Sequence, residues 1–249
     1  MVLVQIYQLK TANTLLSNAY KLAKQLGKEF GILYFDETDN ELKSTLNNLG
    51  ITDSKIYLRN FNDISLSDFS DEVDISFLFI QLTDNKSKSI KYVLNLCRDL
   101  RIPYILHKDS FSELKMEKVI LPIGFLEEEM EKAQFASAFG RFCGSKIKML
   151  LANDYGSKAA TNAERMKELF DKFDFSYNLE KAKKDSFKVE MEAVEVAQNE
   201  QAGCIIVSSS RDYGLDDIIF GSKESHVVKK STVPVLLVNP RGDLYALCD

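Results

Sequence analysis

The segment Val119-Ile-Leu-Pro-Ile123 decides the fold, because every one of its residues is apolar. A strand that is apolar on both faces is typical of parallel sheets that are covered by helices. A helix pattern follows it, and residues 146–152 then read as a second strand. Two more short apolar strands are predicted at residues 204–207 and 234–238. Such strands, alternating with helices, predict an α/β domain with a parallel sheet and helices on both faces.

Apolar residues at helical spacing mark the helices that connect these strands. The first helix crowds its apolar residues on one side, and they are Met130, Ala133, Phe135, Phe139 and Phe142. The second stripe consists of Met166, Leu169, Phe170 and Phe173, and the third of Phe187, Met191, Val194 and Ala197. Stripes of this kind predict helices that bury these side chains against the sheet.

The amino-terminal half of the chain repeats this order of strands and helices. Residues 2–35 align with residues 119–152 at a shift of 117 positions without a gap. The identical pairs are Val2/Val119, Ile6/Ile123, Leu9/Leu126, Ala19/Ala136, Gly27/Gly144 and Leu33/Leu150. The later strands of this half are predicted at residues 30–35, 55–58, 76–80 and 103–106. The repeat predicts two tandem, doubly wound domains, residues 1–113 and 114–249.

Composition excludes several functional classes. The chain has 249 residues and a net charge of −5, with 28% charged residues, so it lacks the basic surface of a nucleic-acid binder. No window approaches the roughly 20 consecutive apolar residues of a membrane helix. The four cysteines, Cys97, Cys143, Cys204 and Cys248, lie far apart without a C-x-x-C spacing. We therefore expect a cytoplasmic protein with no membrane and no nucleic-acid partner.

One segment carries a more specific signal. Val207-Ser-Ser-Ser-Arg-Asp-Tyr-Gly-Leu-Asp-Asp-Ile-Ile-Phe-Gly-Ser222 precedes a predicted helix and then Val233-Pro-Val-Leu-Leu-Val238. This arrangement resembles the carboxyl end of the universal stress protein family, in which a strand leads into G-2x-G-9x-G-[ST], a helix and a last strand that opens with Pro-Val. The resemblance extends back to Lys118-Val-Ile-Leu-Pro-Ile123, so it covers the second half, and the first half joins it through the repeat.

The resemblance implies a tandem family member, in which each domain is a five-stranded parallel sheet of the adenine nucleotide alpha hydrolase-like type. It also implies that the two domains pack as an internal pseudo-dimer and that a homodimer can form. Members that bind nucleotide hold ATP with the glycine motif and with an Asp just after the first strand. Glycines allow backbone N–H groups to approach a phosphate closely, and a helix start adds the positive end of its dipole.

The motif is incomplete in this chain. Gly221 and Ser222 fit its last two positions, but Ser208 and Arg211 stand where the family has its first two glycines. Gly124 follows the first strand of the second half, where the family's Asp is expected. In the first half, residues 83–90 before the last helix contain no glycine. We therefore expect no ATP binding in the family manner by the first half.

Two hypotheses of function remain open. The first is a non-catalytic stress-response or regulatory protein with a degenerate ATP site, in which Gly221 and Ser222 are an ordinary turn glycine and helix N-cap. The second is an adenine-nucleotide binder or slow ATPase that uses the second domain only. Its candidate pocket would consist of Ile123, Gly124, Ala152, Val207, Ser208, Arg211, Gly221, Ser222 and Lys223.

No other residue pattern indicates a catalytic or metal site. His107 and His226 have no second ligand at metal-binding spacing, and both are interpreted as surface or partly buried side chains. The run Glu127-Glu-Glu129 is interpreted as a helix start, where acidic side chains favour the helix dipole. Nucleophile and Walker-type phosphate motifs are absent from the sequence, so no catalytic residue is named.

Overall fold

The computed structural model describes residues 1–36, 38–59, 65–83, 87–111, 113–210 and 222–241. The chain divides into two compact units, Met1–Leu114 and Lys115–Asp249. We call them the amino-terminal unit and the carboxyl-terminal unit, and describe each by itself.

The amino-terminal unit contains five parallel strands among its described residues. They are β1 (Val2–Ile6), β2 (Phe30–Tyr34), β3 (Lys55–Leu58), β4 (Phe77–Leu82) and β5 (Tyr104–Lys108). Their order in the sheet is β3-β2-β1-β4-β5. The helices that connect them are α1 (Asn13–Gln25), α2 (Asn40–Asn48), α3 (Leu66–Glu72) and α4 (Ser87–Leu96), and a short 3-10 helix, Leu9–Thr11, precedes α1.

The carboxyl-terminal unit repeats this plan. Its strands are β6 (Lys118–Ile123), β7 (Lys146–Leu151), β8 (Tyr177–Lys181), β9 (Cys204–Ser208) and β10 (Val235–Val238). Their order is β10-β9-β6-β7-β8, and each neighbouring pair is parallel. The helices are α5 (Glu131–Cys143), α6 (Lys158–Lys172), α7 (Val189–Asn199) and α8 (Lys223–Lys230), and the 3-10 helix Glu127–Met130 leads into α5.

The strand order places helices on both faces of each sheet. In the carboxyl-terminal unit, the chain moves outward from β6 through α5 and α6, and then back through α7 and α8. Right-handed crossovers in opposite directions put the two helix pairs on opposite faces. Strands β6, β9 and β10 are almost wholly buried, whereas the residues of the edge strand β8 are partly buried or exposed. The predicted doubly wound α/β fold is confirmed.

The predicted helix stripes need one correction. The sequence places Phe187 on the helix that precedes β9, but α7 begins at Val189, and Phe187 lies in the preceding loop with 78% of its surface exposed. Phe142 and Phe173, near the carboxyl ends of α5 and α6, are also about half exposed. The apolar spacing continues to the ends of these helices, where the last aromatic side chain extends past the sheet and is not covered by it.

His107 is a second correction, because it is buried rather than on the surface. It lies near the end of β5 with 1% exposure, and its ring makes an edge contact with Phe111 at 5.4 Å. Asn18 fixes the tautomer of His107. Its Oδ1 accepts the Leu114 N–H at 2.8 Å, so its Nδ2 faces His107 Nε2 at 3.2 Å. Burial lowers the pKa of His107 to about 4.

Burial of His107 predicts a loss of stability in mild acid. Its pKa lies below its ordinary value of 6.5, so the unfolded chain takes up the proton first as the pH falls. The contribution is complete above about pH 6.5 and is lost toward pH 4, which amounts to about 2 kcal/mol between pH 7.5 and pH 5. His107→Gln keeps an acceptor toward Asn18 and does not titrate, so its urea-unfolding free energy should vary less over this range. Equal pH dependence of both proteins would contradict the assignment.

Gly203 is required by a close backbone approach at the entrance to β9. A Cβ at this position would lie 1.1 Å from the carbonyl oxygen of Lys115 and 2.3 Å from its carbonyl carbon. Both atoms belong to the backbone, and the Gly203 N–H is itself bonded to the Lys118 carbonyl at 2.9 Å. No side chain fits without moving the chain.

We expect Gly203→Ala to lower the free energy of unfolding by about 3 kcal/mol or more, because the backbone must shift. The matched control is Gly156→Ala, where a Cβ would meet no atom within 4 Å. That variant should stay within about 0.5 kcal/mol of the wild type. Urea unfolding of the three proteins measures the difference, and similar values for the two variants would refute the close approach.

Candidate functional site

The candidate site lies at the carboxyl ends of β6 and β9, where the strand order of the carboxyl-terminal unit reverses. Ligands of doubly wound folds bind in the crevice at this point. Ile123 ends β6 and Ser208 ends β9. Ala152 follows β7, and its N–H donates to the Ile123 carbonyl at 3.0 Å. Ser222 is the N-cap of α8, and its hydroxyl accepts the Ser225 N–H at 3.4 Å.

The structure thus brings most of the predicted pocket residues to this edge of the sheet. Gly124 directly follows Ile123, and Val207 precedes Ser208 in β9. Lys223 is the first residue of α8, after Ser222. Arg211 and Gly221 lie outside the described residues, so nothing is said of their positions. The pocket as a nucleotide site stays a prediction.

Gly124 is enclosed by side chains of its own unit. Its N–H donates to Glu129 Oε2 at 3.1 Å, and its carbonyl accepts from Asn162 Nδ2 at 3.0 Å. A Cβ at Gly124 would lie 3.2 Å from Ser186 Oγ and 3.8 Å from Glu129 Cδ. A side chain at this position would therefore require Ser186 to shift by a few tenths of an ångström.

A buried ion pair holds the turn after β6. Lys132 Nζ donates to Glu129 Oε2 at 2.6 Å and to the Pro122 carbonyl at 2.6 Å. The Lys132 side chain is 0% exposed and that of Glu129 4%. Charges this deep cost several kcal/mol to desolvate and persist only when paired and hydrogen-bonded, as they are here.

A second ion pair lies across the crevice from the first. Lys223 Nζ, at the start of α8, donates to Glu190 Oε1 in α7 at 3.1 Å. Burial raises the pKa of Glu190, and the positive charges of Lys223 and Lys132 only partly offset this effect. Burial lowers the pKa of Lys223, but the carboxylates of Glu190, Glu129 and Glu224 outweigh it, so its pKa is raised. The two pairs therefore form one electrostatic cluster.

Glu224 adds an unbalanced negative charge to this cluster. It is the second residue of α8 and is completely buried. One carboxylate oxygen accepts from Ser210 Oγ at 3.1 Å, and the other has no hydrogen-bond partner among the described residues. The buried Ser208 hydroxyl also lacks a partner there. Three carboxylates thus face the two ammonium groups of Lys132 and Lys223.

The corresponding crevice of the amino-terminal unit is closed by a neutral side chain. Gln81 is the fifth residue of β4, as Ser208 is of β9, and it is 1% exposed. Its Oε1 accepts the N–H groups of Tyr7 and Gln8 at 2.9 and 2.8 Å. Its Nε2 donates to the Gln8 carbonyl and to Thr11 Oγ1 at 2.8 and 2.9 Å. The loop after β1 is therefore bonded directly to the strand beside it.

The ionic cluster is not predicted by the sequence patterns. The run Glu127-Glu-Glu129 indicates a helix start, which agrees with the 3-10 helix there, but it does not indicate that Glu129 is buried. The available signal was a lysine three residues later, on the side of α5 where Ala133 and Ala136 are buried. Glu190 gave no signal, because its partner Lys223 is 33 positions away. Among the described residues, no group of His, Cys, Asp and Glu side chains is arranged to hold a metal ion.

Comparisons with known proteins agree with this architecture. A model of the universal stress protein family matches residues 116–239. A universal stress protein from Methanocaldococcus jannaschii is 29% identical over 144 residues, covering 55% of this chain and 85% of that protein. The structure of a universal stress protein from Archaeoglobus fulgidus covers 96% of this chain and 98% of its own, with 13% identity and a TM-score of 0.69. A functionally unknown protein from Pseudomonas aeruginosa covers 99% and 94%, with 14% identity and a TM-score of 0.63.

The five-stranded parallel units, each with a crevice where the strand order reverses, define an α/β fold of the adenine nucleotide alpha hydrolase-like type. The family model falls on the carboxyl-terminal unit, where the sequence carries the motif. Residues 116–239, within the carboxyl-terminal unit, belong to the universal stress protein family. No helix within the described ranges combines the length and apolarity that crossing a bilayer requires.

The buried pair predicts a specific pattern of stabilities. Lys132→Met leaves Glu129 buried without its counter-charge and should cost about 3–5 kcal/mol. The double variant Glu129→Gln/Lys132→Met keeps an acceptor for the Gly124 N–H without a buried charge, and should regain most of that loss. Urea unfolding at neutral pH measures both.

The control is Lys167→Met, because Lys167 pairs with Glu164 at the same spacing on an exposed face of α6. It should change the free energy of unfolding by less than about 1 kcal/mol. A double variant less stable than Lys132→Met would show that the ion pair is not what stabilises the turn after β6.

Proposed function

We propose that the protein is a non-catalytic, regulatory universal stress protein whose ATP site is degenerate in both units. The observation that carries this proposal is the completely buried carboxylate of Glu224 in the first turn of α8. A helix N-terminus beside a glycine loop is where such folds hold phosphate groups. In this chain, two anionic side chains, Glu224 and Glu190, already lie at that end of α8.

The electrostatics oppose a polyphosphate at this position. The positive end of a helix dipole is equivalent to about half a charge. Glu224 brings a full negative charge to it, and the ammonium group of Lys223 is engaged by Glu190. A phosphate charge about 5 Å from a carboxylate that forms no ion pair with a described residue meets a repulsion of about 3 kcal/mol at an effective dielectric constant near 20. Ser222 is retained from the motif, but its hydroxyl oxygen accepts the hydrogen bond that caps α8.

The amino-terminal unit supports the same proposal by other means. Gln81 bonds the loop after β1 to the sheet through four hydrogen bonds. A nucleotide at this place would have to break these bonds. We therefore propose that this unit acts as a structural partner and binds no ATP.

The alternative, an adenine-nucleotide binder or slow ATPase in the carboxyl-terminal unit, has one observation in its favour. The hydroxyl of Ser208 is buried and lacks a partner among the described residues, so it could donate to a ligand. In this alternative, such contacts would have to outweigh the repulsion from Glu224.

Thermal-shift and calorimetric titrations with ATP, ADP, AMP and cyclic nucleotides, with and without Mg²⁺, separate the two functions. We expect no binding at millimolar nucleotide. The isosteric variant Glu224→Gln tests the cause, because it removes only the charge and should allow weak ATP binding. Micromolar binding to the wild type that is lost in Ser222→Ala would overturn the proposal and establish the alternative.

We further propose a cytoplasmic location. Cys97, Cys143 and Cys204 form no disulfide within the described residues. Cys97, just after α4, and Cys204, in β9, are buried. Burial raises the pKa of the Cys204 thiol to about 12, so it stays protonated and unreactive, as a thiol that serves as a small hydrophobe does.

A further inference from the structure

The crevice of the carboxyl-terminal unit contains two buried oxygen atoms without a hydrogen-bond partner among the described residues. One is Oε1 of Glu224, which is completely buried, and the other is the hydroxyl oxygen of Ser208, which is 2% exposed. Glu224 belongs to α8 and Ser208 to β9, so the two atoms come from different elements. Buried polar atoms nearly always have a partner, so both atoms indicate an occupant of the crevice.

Ser210 connects the two atoms. Its hydroxyl donates to the other carboxylate oxygen of Glu224, Oε2, at 3.1 Å. The Ser209 N–H is bonded to the Val238 carbonyl at 2.9 Å, so the strand pairing continues past the end of β9. Side chains two positions apart on an extended strand point to the same face, with Cα atoms about 7 Å apart. The hydroxyl of Ser208 therefore lies on the face of β9 that Ser210 and Glu224 share.

The buried charges around these atoms leave one negative charge in excess. Lys132 pairs with Glu129 at 2.6 Å. Lys223 pairs with Glu190 at 3.1 Å, and no described residue forms an ion pair with Glu224. The positive end of α8 offsets about half of that charge. A water molecule bonds to such orphaned atoms but neutralises no charge, and a buried charge without full compensation is unfavourable, so the cluster favours a cation.

We propose that the crevice holds a small monovalent cation, of the size of K⁺ or ammonium, between Glu224 Oε1 and Ser208 Oγ. Carboxylate and hydroxyl oxygens are ligands for hard cations and acceptors for ammonium N–H groups. One excess charge matches a monovalent ion, and within the described ranges no three acidic, histidine or cysteine side chains are arranged to hold a metal such as a divalent ion. This inference rests on the proposed function, because it takes the start of α8 as a place that disfavours phosphate and favours positive charge.

The test is urea unfolding of the full-length protein at pH 8 and constant ionic strength, with KCl or NH₄Cl replacing choline chloride. An ion that binds only the folded state stabilises it by mass action. Above the dissociation constant, each tenfold rise in ion concentration should raise the folding equilibrium constant about tenfold. Choline is too large for the site and should have no effect. The ion with the stronger effect identifies the occupant.

Two variants test the assigned ligands. Glu224→Gln removes the charge and should abolish the cation response, whereas Ser208→Ala removes one ligand and should weaken the affinity about tenfold or more. Both responses are read against each variant's own stability in choline chloride. The matched control is Glu164→Gln, because Glu164 is exposed and pairs with Lys167 on α6. It should respond as the wild type does.

Crystals soaked in thallium acetate give a second readout, since Tl⁺ replaces ions of this size. We expect an anomalous peak between Glu224 and Ser208. Equal stability in all three salts would overturn the inference and leave water as the occupant. An undiminished response in Glu224→Gln, or thallium bound only elsewhere, would also overturn it.

The result is independent of the nucleotide titrations. ATP binding by the wild type, together with an intact cation response in the nucleotide-free protein, would refute the degenerate site alone. A missing cation response without ATP binding would refute the cation site alone.

Discussion

The turn that follows β6 depends on a lysine and a glutamate that are both out of contact with water. Lys132 reaches the Pro122 carbonyl at the end of the strand, and Glu129 accepts the N–H of Gly124 just beyond it. These bonds fix the chain at the point where the sheet reverses its strand order. Ser186, Asn162 and the carboxylates of α7 and α8 are arranged around that fixed turn. The crevice is consequently defined by charge as much as by shape.

The two units place different chemistry at equivalent positions of their crevices. In the amino-terminal unit, one amide, Gln81, satisfies the backbone of the adjoining loop in both directions. In the carboxyl-terminal unit, the same strand position is Ser208, and a cluster of buried ions takes over. An amide is neutral and can both donate and accept, so it needs no counter-charge. A buried carboxylate needs a counter-charge, and Lys132 and Lys223 supply it in the carboxyl-terminal unit.

Sequence alone predicted the fold and the family, but not the contents of the site. Short apolar runs such as Val119-Ile-Leu-Pro-Ile123, alternating with helix patterns, are typical of buried strands, and repetition of this order predicts the second unit. Glu190 and Lys223 meet only because α7 and α8 pack on each other, and no local pattern reports this. His107 likewise owes its burial to Asn18 and Phe111, on other elements. For Phe187 the error is the opposite one, because the helical spacing of apolar residues includes this position, which lies before the first residue of α7.

The contrast between Gln81 and the ionic cluster has a historical meaning. A repeat created by duplication begins with two identical crevices, yet here the groups at equivalent positions share neither residue type nor source element. At least one of the two arrangements therefore arose after the copies separated. The strand order stayed the same in both copies, so the scaffold has changed more slowly than the side chains that line its crevices.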